Sequence, residues 1–496
     1  VMRYSCAAEA SLRNDSVQSL PDIEVLGRQS EPGVVAPQTL HGEQLEKLNS
    51  HSVADALRYF SGVQIKDYGG VGGVKTIDIR SMGSHHTGVF YDGLQLGNAQ
   101  NGQIDLGRYS LDNIESISLY NGQKSQIFQP ARDFASGSAI YIRSKTPQFA
   151  PGRRHSLTAR FRTGSFGLAN PVLNASFKLS EAVSLTASAE YSYATGRYRF
   201  RYRKLFSDGT VAWDTTATRR NGDISALRLE AGAYGTMSRG TWQAKAYYYD
   251  SERGIPGAIV NNVWKNSQRQ WDKNFFIQGS IQRQESDRYE WMASAKYARD
   301  RMRYLNPDTT LMYIDNTFRQ DELYLSTTHK LTLLPGWEAA LAADWVHNYL
   351  ESDMANFLFP RRDMLLASLS TALSRGTFHA QAGVLLSYVH DTRLKNPAMS
   401  DKKRISSVIK RATPSLYLSW RPWPSLDLTI HAYGKQVFRM PTFNDLYYTD
   451  IGNADLKPER ATQWDIGAAW QHTGGGILDG VRLGGDAYYN LISDKI

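Results

Sequence analysis

The sequence has no run approaching the ~18 consecutive apolar residues that a membrane-crossing helix requires, which excludes a helical transporter. Cysteine is almost absent. Cys6 stands alone, so neither a disulfide framework nor a cysteine-rich zinc module is available, each needing at least two thiols. Proline is sparse as well, with 17 spread over 496 residues. At about 100 to 200 residues per domain, the length fits two to four soluble domains or one small domain with a large β-structure.

Tyrosine and tryptophan, by contrast, are plentiful, at 28 and 11. Both collect at membrane-water interfaces, and a transmembrane barrel alternates apolar with polar residues, so a mean hydropathy of -0.45 does not exclude one. The net charge of +9 also admits nucleic acid as a partner, provided that the basic residues cluster.

The first ten residues end in Ala8-Glu9-Ala10, a small-x-small pattern that fits a signal-peptidase site. Residues 1–10 are therefore expected to be the remnant of a signal peptide; an ordinary small-residue N-terminus fits the pattern equally well. Residues 11–40 are polar, aperiodic and broken by Pro21, Pro32 and Pro37, which predicts a flexible lead-in. Within it Asp22, Ile23, Glu24, Val25, Leu26 and Gly27 form a short alternating segment able to add as a strand to another protein.

Residues 41–147 read as a compact α+β unit. Val53, Ala56, Leu57 and Phe60 have helical spacing behind a Ser50 or Ser52 cap. Alternating runs follow at 74–82, 88–96, 114–122 and 138–145, separated by Gly-rich or Asn-Gly turns, which predicts a small mixed sheet. From about Pro151 onward the period is two: Leu227, Leu229, Ala231 and Ala233 oppose Arg228, Glu230 and Gly232, and Trp242, Ala244 and Ala246 oppose Gln243, Lys245 and Tyr247. About fifteen such segments are joined by tight turns (Arg239-Gly240, Pro335-Gly336, Arg375-Gly376) that alternate with long polar loops. Short turns on one side and long loops on the other predict a transmembrane antiparallel β-barrel. A soluble propeller or sandwich would favour strands of ~5 to 6 residues, whereas several segments here exceed a dozen. A barrel this wide leaks unless something fills it, and residues 41–147 are the natural plug.

Two blocks carry a family resemblance. The stretch Ser52 to Ala99, with Gly62-Val63, IDIRSMGS (Ile77 to Ser84) and VFYDGLQL (Val89 to Leu96), together with FRMPTFNDLYYTDIGNADLKPERATQWDIG (Phe438 to Gly467), resembles the TonB-dependent outer-membrane transporters. That resemblance implies a barrel of 22 strands, so with about fifteen present the C-terminal part of residues 148–496 is expected to be incomplete. It implies no enzymatic activity and no cofactor. It implies active uptake of a small-molecule nutrient across the Gram-negative outer membrane, energised by TonB, which would pair with a box at Asp22 to Gly27. Lipopolysaccharide and a surface-exposed substrate-capturing lipoprotein are further implied partners, and nucleic acid is not. One departure is the closing segment Asn121 to Pro147, which keeps Gly122 but lacks most of the family's glycines.

GGVGG (Gly69 to Gly73) has no following helix and no Lys-Ser/Thr, so it is not a phosphate loop. On the family comparison it is an apical plug loop, giving Tyr68, Gly70 and Gly72 as candidate substrate contacts. The second apical loop gives Asn98, Gln100, Asn101 and Gln103, whose amides suit an uncharged polar ligand; Asn-Gly also simply makes turns. His85-His86 are expected on opposite sides of a strand end, which argues against a metal site. Arg197 to Lys204 alternates basic and aromatic residues and is expected on a strand facing lipopolysaccharide or the lumen. No Ser/His/Asp set appears in a local context. The stretch HHTGVFYDGLQLGNAQNGQIDLG and its two neutral loops most resemble the cobalamin-type transporters. An iron-siderophore transporter is the alternative, and a passive porin or adhesin fits a complete plug poorly.

Overall fold

The computed structural model describes residues 34–35, 37–257, 259, 267–309, 313–355, 357–394, 405–448, 452–472 and 480–496. The segments read above as a signal-peptide remnant and as the TonB box lie outside these residues.

A five-stranded sheet forms the centre of the N-terminal unit, in the order Gln38–His41, Ile114–Asn121, Ser138–Ser144, Thr87–Tyr91, Leu94–Gln95. Thr87–Tyr91 and Ser138–Ser144 run parallel, and the other pairs are antiparallel. The expected helix is Val53–Leu57. It opens with a capping box in which the Ser52 hydroxyl accepts from Asp55 N–H and the Asp55 carboxylate accepts from Ser52 N–H. Its apolar face packs with Ile79, Ile117 and Ile140, all nearly solvent-free. A separate hairpin, Val63–Asp67 with Lys75–Ile79, carries the glycine loop.

Around this plug runs a sheet of fifteen antiparallel strands, from His155–Gly164 at one edge to Val481–Ser493 at the other, each paired with its neighbour in sequence. The one interruption is the hairpin Tyr198–Leu205 with Val211–Arg219, which forms its own two-stranded sheet. The register shows why the period-two pattern is inverted relative to a soluble protein. One row across four strands is Lys245, Gln278, Lys296 and Tyr324, all buried against the plug. The next is Ala246, Ile277, Tyr297 and Leu323 on the opposite face, where Ile277 is 50% exposed. Polar residues point inward and apolar ones outward because the outer solvent is hydrocarbon.

Arg239-Gly240, Pro335-Gly336 and Arg375-Gly376 lie at tight turns on one rim; Gly336 (φ 77°) and Gly376 (φ 60°) take the left-handed backbone those turns require. The strand ends that border the longer intervals 195–223, 256–267, 307–313, 353–358, 395–404 and 440–458 lie at the opposite rim. Strands such as Ile314–Leu334, of 21 residues, far exceed the ~9 to 11 needed to cross a bilayer.

Candidate functional site at the apex of the plug

Both apical loops lie at the long-loop rim, and both lean on the wall. In the first, Tyr68 N–H donates to Val74 O at 3.0 Å and Gly69 N–H to Asp67 Oδ1 at 3.0 Å, closing the loop over the single turn Gly70–Gly72. Arg253 Nη1 donates to Gly72 O at 3.2 Å. A Cβ at Gly72 would meet Ile224 at 2.8 Å, so the backbone approaches the wall as only glycine allows. Tyr68 remains 55% exposed.

The second loop uses much of its own amide chemistry. Asn98 Oδ1 accepts from Asn101 N–H at 3.1 Å, Asn98 Nδ2 donates to Gln103 O at 3.0 Å, and Asn101 Oδ1 accepts from Gln103 N–H at 3.0 Å. Gln100 is buried; its N–H donates to Gln320 Oε1 at 2.9 Å, and its Nε2 has no partner. From the rim, Phe443 N–H and Asn444 N–H donate to Ala99 O and Gln100 O at 2.9 and 2.8 Å. The loop is thus roofed by the short helix Phe443–Tyr447, itself started by a Thr442/Asp445 capping box. An apolar collar of Phe318, Met354, Phe357, Phe443 and Tyr447 stands beside it.

His85 and His86 are in a 3₁₀ turn, Ser84–His86, and not on a strand. Positive φ at Arg80, Ser81 and Gly83 ends the preceding strand at Ile79 and turns the chain toward the wall. The two rings therefore do not alternate across a sheet. His85 Nε2 lies 3.3 Å from Gln103 Nε2, and burial, assisted by the Arg439 guanidinium, pushes its pKa down to about 4. The imidazole is neutral at physiological pH. His86 Nε2 meets Glu459 Oε2 at 2.7 Å, with both side chains almost fully buried.

That contact joins the two family-like blocks. Glu459 also takes an ion pair from Arg439 at 2.9 Å, and Arg439 pairs with Asp445 at 3.1 Å. Arg80, from the same plug turn, pairs with Asp465 at 2.5 Å. The sequence reading missed these fastenings. Others join Asp105 to Arg253 (2.9 Å), Arg108 to Asp272 (3.2 Å), Arg132 to Glu322 (3.3 Å), Asp92 to Lys245 (2.6 Å) and Asp112 to Arg160 and Arg162. The available signal was the occurrence of Arg, Lys, Asp and Glu on the lumen-facing register of the strands. Among the described residues, His431, Asp465 and Asp486 converge within 4.8 Å, but Arg80 ion-pairs with both carboxylates and already supplies their countercharge.

A cavity of about 730 Å³ opens at the short-turn rim, between the plug and the wall, lined by Tyr120, Lys124, Phe128, Asp133, Tyr141 and Tyr234. Tyr141 donates its hydroxyl to Asp133 at 2.8 Å. It lies on the far side of the plug from the apical loops.

The chain can now be compared with known proteins. A model described as TonB-dependent Receptor Plug Domain matches residues 32–131, and one described as TonB dependent receptor-like, beta-barrel matches residues 90–496. The chain is 21% identical over 460 residues to the vitamin B12 transporter BtuB of Vibrio vulnificus, covering 91% of this chain and 66% of that protein. It is 20% identical over 445 residues to the vitamin B12 transporter BtuB of Photobacterium profundum, covering 88% and 65%. The chain thus spans slightly less than two thirds of the length of these curated relatives. Among solved structures, the FrpB iron transporter from Neisseria meningitidis (F3-3 variant) aligns with a TM-score of 0.70 at 12% identity, over 92% of this chain and 73% of the other. The siderophore receptor PiuA from Acinetobacter baumannii aligns at 0.66 and 11%, over 88% and 70%. These structural likenesses show a shared fold. With a plug held inside an inverted fifteen-stranded wall and both halves matched by family models, the chain belongs to the TonB-dependent receptors, a family of the Gram-negative outer membrane.

Proposed function

We propose that the protein takes up a scarce, bulky nutrient across the outer membrane, energised by an inner-membrane TonB complex that grips Asp22 to Gly27. The observation that carries this reading is the fastening of the plug. At least six of its charged side chains, Arg80, Asp92, Asp105, Arg108, Asp112 and Arg132, are bound to charged groups of the wall. Removing one partner of such a buried pair costs ~3 to 5 kcal/mol, so several cannot open together by thermal motion. A plug held this way needs work to move it, which argues against a passive pore.

A corrinoid is the preferred substrate. Support comes from the exposed, uncharged Tyr68 of the first apical loop, from the neutral His85 beside Gln103 of the second, and from relatives that are vitamin B12 transporters. A ferric siderophore is the second reading. It is favoured by the aromatic collar and by Arg362 and Arg393, which stand over Phe443 and Tyr447 at 5.0 and 4.9 Å. Titration calorimetry of the full-length receptor with cyanocobalamin separates the two: binding at micromolar concentration is expected, and none up to that range removes the corrinoid. Deleting Asp22 to Gly27 should abolish uptake while leaving binding intact; undiminished uptake would remove energy coupling through that box.

A further inference from the structure

We propose that the lumen face of the wall carries a binding site for a first-row divalent transition-metal ion such as Zn2+, made by His431 Nε2, Asp465 Oδ1 and Asp486 Oδ1. One ligand atom from each of these residues lies within 4.8 Å of the others, the one such group of three among the described residues. The ligands come from neighbouring strands, Leu428–Arg439, Glu459–His472 and Val481–Ser493. His431, Gly467 and Asp486 lie directly opposite one another, and Asp465 is two positions from Gly467, opposite Tyr433 and Tyr488. Asp465 and Tyr433 are buried against the plug, which puts all of these positions on the lumen face. Gly467 lets the outer two side chains meet. It places nothing between them, and His431 Nε2 lies 2.8 Å from Asp486 Oδ1 across it. A Cβ at Gly467 would fall on Asp486 Oδ1 and 2.6 Å from His431 Nε2.

Donor spacing and charge both suit an ion. Zinc holds imidazole nitrogen and carboxylate oxygen at ~2.0 to 2.2 Å, so two donors of a tetrahedral site stand ~3.4 Å apart. His431 Nε2 lies 2.8 Å from Asp486 Oδ1 and 3.7 Å from Asp465 Oδ1, on either side of that value. Coordination uses the Nε2 lone pair, so the imidazole proton then resides on Nδ1. Arg80 does not fill the site. Its guanidinium donates to Asp465 Oδ2 at 2.5 Å and stands 3.5 Å from Asp486 Oδ2, which leaves the two Oδ1 atoms to the imidazole. The countercharge it supplies is one against two carboxylates, and among the described residues no other Lys or Arg pairs with either. Tyr433 and Tyr488 fix Arg80 in that role: the Tyr433 hydroxyl accepts from Nη1 at 3.4 Å, and the Tyr488 ring centre lies 4.4 Å from the guanidinium carbon. Carboxylates that bind a metal are commonly held from behind in this way.

The donor set selects the class of ion. Mg2+ and Ca2+ take about six or more oxygens, whereas three donors that include an imidazole suit the first-row transition ions. Three protein donors leave the remaining positions to water. Those positions open beside Asp486, whose side chain is 36% exposed against 12% for His431 and 2% for Asp465. His431 is the fourth residue of its strand counted from the short-turn rim, so the site lies toward the opposite end of the lumen from the apical loops and is separate from the proposed substrate contacts. Its place gives it a mechanical meaning. The ion would tie three wall strands to one point, and the far oxygens of the same two carboxylates hold Arg80, which follows the plug strand Lys75–Ile79. A bound ion would thus brace the wall side of the Arg80 fastening without contacting the plug itself.

The test uses the full-length receptor in detergent, freed of metal by a chelator, with Zn2+ as the probe and bound metal counted after equilibrium dialysis. One Zn2+ per receptor should bind at micromolar concentration, undisturbed by a large excess of Mg2+. His431→Gln and Asp486→Asn should each weaken binding at least about tenfold. Gly467→Ala should do the same with all three ligands still present. His347→Ala, which removes a histidine of the outward face paired with Asp363, should bind as the wild type does. A wild type that takes up no Zn2+ in that range, or a Gly467→Ala variant that binds it unchanged, would overturn the site. Electron paramagnetic resonance of the wild type loaded with one equivalent of Cu2+ gives a reading that needs no variant: a single coordinated imidazole is expected, and none or two would equally overturn the site. Substrate uptake plays no part in these measurements, so their outcome leaves the transport reading untouched.

Discussion

Glu459 of the wall meets His86 of the plug at 2.7 Å although 373 positions separate them in sequence. Glu459 ends the barrel's Leu-x-Pro-Glu element and His86 follows the plug's IDIRSMGS, so the two blocks that are most family-like in sequence are the two sides of one contact. Replacing Glu459 with Ala leaves His86 buried without its acceptor and Arg439 with Asp445 alone. The expected cost is ~3 to 5 kcal/mol, read as a lower plug melting midpoint and faster proteolysis within residues 77–86. A double-mutant cycle with His86→Ala should give a coupling of about 1 to 3 kcal/mol. Strictly additive losses would show that the contact holds nothing.

Gly97 tests a different joint. A Cβ there would overlap the Glu322 carboxylate, which is held by Lys296 at 2.9 Å and Arg132 at 3.3 Å. Lys296 also donates to Gln95 O at 2.8 Å. Gly97→Ala should therefore destabilise by ~1 to 3 kcal/mol through overpacking. Because Glu322 touches both the second apical loop and Arg132, hydrogen exchange should rise together near residues 95–100 and 130–133. A rise confined to the apical loop would show that Glu322 does not link the two.

Asp133 gives a pH dependence with a definite sign. Burial pushes its carboxyl up to about 7, against the hydrogen bond from Tyr141 and the nearby Lys124, which act to lower it. Between about 4, the unfolded value, and 7 the folded plug keeps a proton that the unfolded chain releases. The stability owed to this group is complete below about pH 4 and is lost as pH rises through 7, with a slope of up to ~1.4 kcal/mol per pH unit. Asp133→Asn should remove that part of the decline when melts at pH 5, 6, 7 and 8 are compared with the wild type. Parallel profiles for the two proteins would refute the assignment.

The strands and the plug helix were legible in the sequence because local rules determine them. Alternation such as Leu227/Arg228/Leu229/Glu230 needs only a two-sided wall, and Ser52-x-x-Asp55 caps its helix without reference to anything distant. The fastenings were not legible, because Asp112 finds Arg160 and Arg162, and Asp105 finds Arg253, only once the register and the seating of the plug are set. The histidine pair was misplaced for the same kind of reason. A strand was expected through His85-His86, but left-handed backbone at Arg80 and Ser81, residues with no obvious preference for it, turns the chain instead. The second apical loop shows what residue type alone conceals. Its amides look available for a ligand, yet Asn98 and Asn101 are engaged in shaping the loop, and Gln100 is buried beneath the helix Phe443–Tyr447.

The first described strand of the plug, Gln38–His41, lies at the edge of its sheet, where four residue pairs join it to Ile114–Asn121 and the Gln38 amide adds two hydrogen bonds to Ser61. Among the described residues it is also the first strand that tension would reach under the proposed coupling through residues 22–27, just after Val35, whose N–H is tied to Ser125 Oγ at 3.0 Å. An edge strand has one neighbour, so detaching it leaves the remaining ladders of the sheet intact. A mechanical load applied there has a low-force first event available, the release of a four-residue strip, before any rupture inside the plug core.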